Sequence, residues 1–164
     1  MTPVPTPDRF QALDTCHQQI QMNLDALTAL LPQLEAGADD LAFRKQIESI
    51  EAFFSSTSRQ HHAEEEKNIF PSLLASDNDE LVHAVRTLQQ DHGWIEQNWL
   101  ELAPMLRAIA QGEDWIDPAE LQHHVEVFLT LCQDHIALEE TLIYPEAKRS
   151  FAQELEARGK RATA

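Results

Sequence analysis

The sequence predicts an all-α fold, an antiparallel up-down-up-down four-helix bundle. Three observations predict it. Apolar residues recur at steps of three and four along four long segments, the mark of amphipathic helices. Period-two alternation, the signal of strands, is absent. The chain also repeats itself: "HHAEEEKNIFP" (61–71) and "HIALEETLIYP" (135–145) agree at His, Ala, Glu, Glu, Ile and Pro when shifted by 74 residues. At 164 residues and 43% hydrophobic content, one domain with a sizeable core is expected.

Residues 1–7, rich in Pro and Thr, read as an N-terminal arm, with Thr6-Pro7-Asp8 as a helix start. The first helix carries the stripe Phe10, Leu13, His17, Ile20, Leu24, Leu27, Leu31 and is expected to end at Pro32 and "EAGADD". The second starts near Asp39 or Asp40. Its stripe is Phe43, Ile47, Ile50, Phe54, Thr57 or Ser58, His61, Glu65, Ile69, and Pro71 is expected to end it. The third runs through Leu81, Val85, Leu88, His92, Ile95, Trp99, Leu102 and Leu106, with Pro104 as a kink rather than a stop. Asp117-Pro118 caps the fourth, whose stripe is Leu121, Val125, Phe128, Cys132, His135, Glu139, Leu142, with a stop near Pro145. Residues 8–147 form the expected bundle, and 148–164 a tail with a short C-terminal helix. Shifted by 75 residues, the first stripe lands on the third, apolar on apolar and His17 on His92. The chain is therefore two helix hairpins of one plan.

Polar groups on an apolar stripe need compensation, because a buried unpaired charge costs several kcal/mol. At ~1.5 Å of rise per residue, alternating helices bring His17, His61, His92 and His135 to one height, roughly 15–20 Å from the same end. Glu65 and Glu139 follow His61 and His135 by one turn on the same face. Four imidazoles and two carboxylates at one level point to a metal site; iron, manganese and zinc all suit such donors. Six donors exceed the four of one tetrahedral zinc, so two ions are expected. Two irons bridged by both glutamates and by an oxo or hydroxo group would each keep one open position.

The bulk numbers exclude other classes. A formal charge of -16 repels nucleic-acid phosphates and anionic membrane surfaces. No apolar run approaches the ~20 residues of a membrane span, and the first ten residues lack the pattern of a secretory signal. Cys16 and Cys132 do not make a disulfide framework. A cytoplasmic location is expected.

The pattern His17, His61-x3-Glu65, His92, His135-x3-Glu139, with its "IFP" and "IYP" endings, resembles the hemerythrin family in its HHE cation-binding branch. The resemblance covers roughly residues 8–147 and implies an antiparallel four-helix bundle around a non-haem di-iron centre. Oxygen-carrying hemerythrins resemble HxxxE…HxxxH…HxxxxD instead. Here Glu96 stands four residues after His92, and Glu140 five after His135. The four-His, two-Glu set is more similar to hemerythrin-like domains of iron-centre repair proteins and of an iron-sensing ubiquitin-ligase subunit. The resemblance implies a protein that binds or senses O2, NO, or the redox or iron state, completed by an electron-transfer partner. Rival readings are a di-iron enzyme acting on peroxide or NO, an iron donor in repair, and an interaction module that metal merely stabilises.

Nearby residues carry smaller expectations. Glu66 and Glu140 lie about 100° round the helix from the ligands. They are either solvated or acceptors for imidazole N–H groups. Glu96 is one turn from His92 and is expected outside the ligand set. His62 is expected to point elsewhere than His61, either at the surface or as a neighbour of the ligands, and His83, His123 and His124 to lie off the ligand level. Cys132 reads as a small apolar filler, with Cys16 less inward. Tyr144 either hydrogen-bonds near the site or packs as Phe70 does in the other half. Trp94, Trp99 and Trp115 are assigned to core or interface, with only Trp99 on a stripe.

Overall fold

The structure, a computed structural model, describes residues 7–162. The arm expected over residues 1–7 lies outside them except for Pro7, which opens α1 (Pro7–Glu35). Then follow α2 (Leu41–Ser55), α3 (Thr57–Glu64), a π turn (Glu65–Ile69), α4 (Phe70–Leu74), α5 (Asp79–Ala110), α6 (Pro118–Leu138), a second π turn (Glu139–Ile143) and α7 (Tyr144–Ala162). No strand occurs among the described residues. The fold is an all-α four-helix bundle. Helix α1 packs beside α2 and α6, and α5 closes the ring by packing beside the same two. No described helix is long and apolar enough to cross a membrane.

The helix starts follow local chemistry. Asp40 Oδ1 accepts from the Phe43 amide at 2.8 Å, Asn78 Oδ1 from Glu80 and Leu81, and Asp117 Oδ1 from Ala119. Each satisfies amides that the first turn leaves without partners. The ends of α1 and α5 match one another. Gly37 (φ 83°) and Gly112 (φ 80°) adopt the left-handed conformation, and the following amides reach back to Gln33 and Ala108. This closure leaves Pro32 inside α1, three residues short of its end, rather than at a stop. Pro104 likewise lies within α5.

Two features of the second hairpin arm differ from the expected single helix. The helix breaks at Ser56, where the hydroxyl bonds back to the Ala52 carbonyl at 2.6 Å. The run "SSTS" supplies hydroxyls that compete with the helical ladder. Farther on, Pro71 and Pro145 do not end their helices. A proline ring clashes with the carbonyl four residues back in a regular helix. Here each follows a π turn in which the preceding amide, Phe70 or Tyr144, bonds to the carbonyl five residues back, Glu65 or Glu139. The wider turn admits the ring and the chain stays helical. The expected short C-terminal helix is thus a 19-residue continuation, α7, with Phe151 against Phe10.

The buried apolar residues form two clusters. One holds Ile20, Leu24, Ile50, Phe54, Trp99 and Phe128; the other holds Leu13, Phe70, Leu73, Val85, Leu88 and Tyr144. His17, Glu65, His92 and Glu139 separate them along the helices. A buried polar layer therefore sits between two apolar ones. Trp99 is core, as expected, and its indole N–H reaches Ser55 Oγ at 3.0 Å. Trp94 and Trp115 are exposed instead, since neither falls on the stripe.

Candidate metal centre

The six residues singled out by spacing all converge. His17, His61, His92 and His135 are buried, and Glu65 and Glu139 have 0% exposure. Helix α1 supplies His17, α3 His61, α5 His92 and α6 His135, while the two glutamates open the two π turns. The Nε2 atoms turn inward. His135 Nε2 lies 2.6 Å from Glu139 Oε1 and 3.1 Å from His92 Nε2. His92 and His61 Nε2 stand 3.3 and 3.5 Å from Glu65 Oε1, and His17 Nε2 3.8 Å from Glu139 Oε2.

Two of the Nδ1 atoms, those of His92 and His17, meet carboxylates on the outer side. His92 Nδ1 meets Glu66 Oε1 at 2.9 Å, and His17 Nδ1 meets Glu140 Oε1 at 3.2 Å. Glu66 and Glu140 are thus the acceptors left open by the spacing, one in each half. Such contacts fix ring orientation and tautomer for ligation through Nε2. Asp91 stands 3.7 Å from His135 Nδ1, too long for a hydrogen bond. Replacing Glu66 or Glu140 by Ala is expected to leave helicity unchanged and weaken metal binding by about 10–100-fold. Equilibrium dialysis with Fe(II) or Co(II) checks this; unchanged affinity would mean that the two carboxylates are only a solvated face.

The donor set fits a cation. Burial pushes the His61 imidazole down to about 4, despite Glu65 acting the other way. Burial likewise lowers His135. Both are neutral at physiological pH, the form that binds metals. Burial works to raise the Glu65 carboxyl, but the close approach of His92 and the surrounding imidazoles outweigh that and lower it, so it stays ionised. Glu65 Oε1, His135 Nδ1 and both oxygens of Glu139 are buried without a hydrogen-bond partner. Carboxylate oxygens only accept, and leaving them unpaired in the interior costs several kcal/mol. A cation among them removes that cost. The donor atoms of His17, His61, Glu65 and Glu139 lie within 4.8 Å of one another, as do those of His62, Glu65, His92 and His135.

Of the two roles open to His62, the structure shows the one beside the ligands. Its ring stacks on His92 with centroids 4.1 Å apart and lies 5.6 Å from His135. The stripe continues across the break at Ser56, with Ser58 and His61 still buried, and His62 follows His61 round the helix toward α5. Tyr144 is the other residue that the stripe left undecided. Its hydroxyl donates to Glu65 Oε2 at 2.9 Å and lies 3.0 Å from His17 Nε2 and 3.3 Å from His61 Nε2. Burial, reinforced by the Glu65 charge, pushes the phenol up, so it stays protonated. In a regular helix, a residue five positions after Glu139 would lie about 140° round from it. The π turn, closing in five residues, brings Tyr144 back to the inner face. The doublet of aromatic and proline in both repeats was the available signal. Phe70 takes the equivalent place and stacks on His92.

The remaining candidates stay outside. Glu96 pairs with Arg59 through two hydrogen bonds at the surface. His83 and His123 are exposed, and His124 lies near Glu101 and Glu120. Cys132 is buried against the apolar layer, with its thiol pushed up to about 12 by burial. Cys16 is half-buried, and burial lifts its thiol to about 11.

Comparison with known proteins agrees with this geometry. The family model described as the hemerythrin HHE cation binding domain matches residues 8–147. A curated protein of Haemophilus influenzae, described as uncharacterized, is 28% identical over 134 residues, covering 81% of this chain and 75% of its own length. No solved structure matches.

Proposed function

The chain belongs to the hemerythrin HHE cation-binding family, and from that premise we propose that it binds or senses a diatomic ligand, O2 or NO, at a pair of irons. His17, His61, Glu65, His92, His135 and Glu139 would hold them. When bound, such a pair supplies Lewis acidity and one-electron redox chemistry at an open coordination position.

The observation that carries this reading is a cavity of about 10 Å³ within the cluster, lined by His17, His61, His62, His135 and Glu139 together with Ser58, Ile20, Ile95, Cys132 and Ile136. Such a volume holds about one water-sized molecule. Its small volume disfavours large substrates. Once a cation takes up Glu65 Oε2, the Tyr144 hydroxyl that now donates to that oxygen is released to a small ligand with a lone pair beside His17. A surface groove of about 350 Å³, which His61 lines with Leu13, Cys16 and Gln60, supports a route inward between α1 and α3.

Anaerobic addition of NO, and of O2 to the reduced protein, tests it. Both are expected to perturb the visible spectrum, whereas tert-butyl isocyanide is excluded by the cavity. No response to NO or O2 in metal-loaded protein would overturn the reading. Tyr144→Phe copies the residue of the other half, so metal content is expected to persist. Loss of one hydrogen bond, about 0.5–1.5 kcal/mol, would weaken the ligand roughly 2–10-fold, measured as its dissociation constant.

A further inference from the structure

The charge of the chain is unevenly placed. Residues 148–164 hold five of the 12 Lys and Arg but two of the 28 acidic residues, a net charge of +3, and the remainder carries -19. The basic segment includes the outer part of α7, where residues 152–160 are all exposed. Phe151 still leans on Phe10, whereas Leu155, one turn on along the same face, is 41% exposed. The ion pairs Glu154–Arg158 and Glu156–Lys160 run along α7 itself, at 3.0 and 3.5 Å. A short polar helix is marginal in water, and packing of one face against another element is what normally holds it. A basic helix with an apolar edge suits an acidic surface that has an apolar centre.

Such a surface lies at the far end of the bundle. Helix α1 runs about 40 Å from Phe10, beside α7, to the loop 36–40. That loop meets the loop 111–117. Arg44 binds Asp39 at 2.7 Å and passes so close to Gly112 that a Cβ there would lie 2.8 Å from its guanidinium. The two loops carry Asp39, Asp40, Glu113, Asp114 and Asp117 and no Lys or Arg. Leu41 and Trp115 stand among these acids, 67% and 65% exposed. We propose that α7 of one copy of this chain docks on the Leu41–Trp115 end of a second copy. Leu155 meets the exposed apolar pair there, and Arg158 and Lys160 meet the acids. Because the two surfaces sit at opposite ends, a chain does not satisfy its own, and the association is head-to-tail. A nucleic acid or an anionic membrane also attracts α7, but as an extended anionic surface it repels the bundle. End-on contact keeps most of two like-charged bundles farther apart than the Debye length, about 8 Å at physiological salt.

Sedimentation velocity of the full chain as purified, over a range of concentrations, tests this. Wild type is expected to form species that grow with concentration and revert to monomer as NaCl rises from about 0.05 to about 0.5 M, because salt screens the charge contacts. Leu155→Glu spoils the first surface and Trp115→Asp the second. Both residues are exposed, so circular dichroism and metal content should be unchanged. Each variant alone should associate at least about 10-fold more weakly than wild type. An equimolar mixture of the two should regain a two-chain complex and nothing larger, since the Leu155→Glu chain keeps its acidic end and the Trp115→Asp chain keeps its α7. Wild type that stays monomeric throughout, variants that associate as wild type does, or a mixture that does not reassociate would each overturn the inference. Monomer that co-sediments with phosphatidylglycerol vesicles, and stops doing so in Leu155→Glu, would overturn it in favour of a membrane surface.

Discussion

Glu139→Gln will stabilise the metal-free protein while destroying metal uptake. In the metal-free fold this carboxylate is fully buried, and neither oxygen has a hydrogen-bond partner. Its nearest neighbour, His135, is held neutral by burial and offers no compensating charge. A side chain of the same shape without the charge removes a penalty of about 1–3 kcal/mol. For a chain of this length that raises Tm by roughly 2–12 °C in thermal unfolding followed by circular dichroism. Metal binding should fall below detection in the same variant, because Gln supplies no anionic bridge. A lower metal-free Tm would show that the native fold already neutralises Glu139 by other means.

The second large effect is removal of the metal from wild type. A ligand held at about 1,000 times its dissociation constant adds about 4 kcal/mol to stability, which here corresponds to roughly 8–16 °C in Tm. Chelation is expected to lower Tm by that amount and to leave most helicity in place. The reason lies in the layering. Leu24, Phe54, Trp99 and Phe128 on one side, and Phe70, Val85 and Leu88 on the other, form apolar cores that do not include the cluster. Their burial folds the bundle without help, unlike a small domain that only metal can fold. An unchanged Tm after chelation would contradict both the site and the reading of metal as a structural support.

Much of this was legible in the sequence, for identifiable reasons. Steps of three and four locate the inward face of a regular helix, so His17, His92 and the apolar stripes could be placed from spacing alone. The repeat did more, because it paired His61-x3-Glu65 with His135-x3-Glu139 across the bundle. What spacing could not give lies where the helix stops being regular. The two π turns change which residues face inward. His62 and Tyr144 enter the cluster next to those irregularities. The prolines at 71 and 145 carried the signal, but a proline in a helical pattern reads first as a stop. Glu66 and Glu140 were undecided for another reason. Whether an acidic residue at the edge of a stripe meets solvent or an imidazole depends on the neighbouring helix. Here α5 brings His92, and α1 brings His17, within hydrogen-bond reach.

The central claim is that the buried layer between the two apolar cores holds two redox-active ions. Metal content of anaerobically purified protein from iron-replete cells, with its visible spectrum before and after air, tests it most directly. The account predicts about two irons per chain, from the two overlapping donor groups, and absorption that grows on oxidation. Zinc with no spectral response, or protein carrying no metal at all, would contradict it.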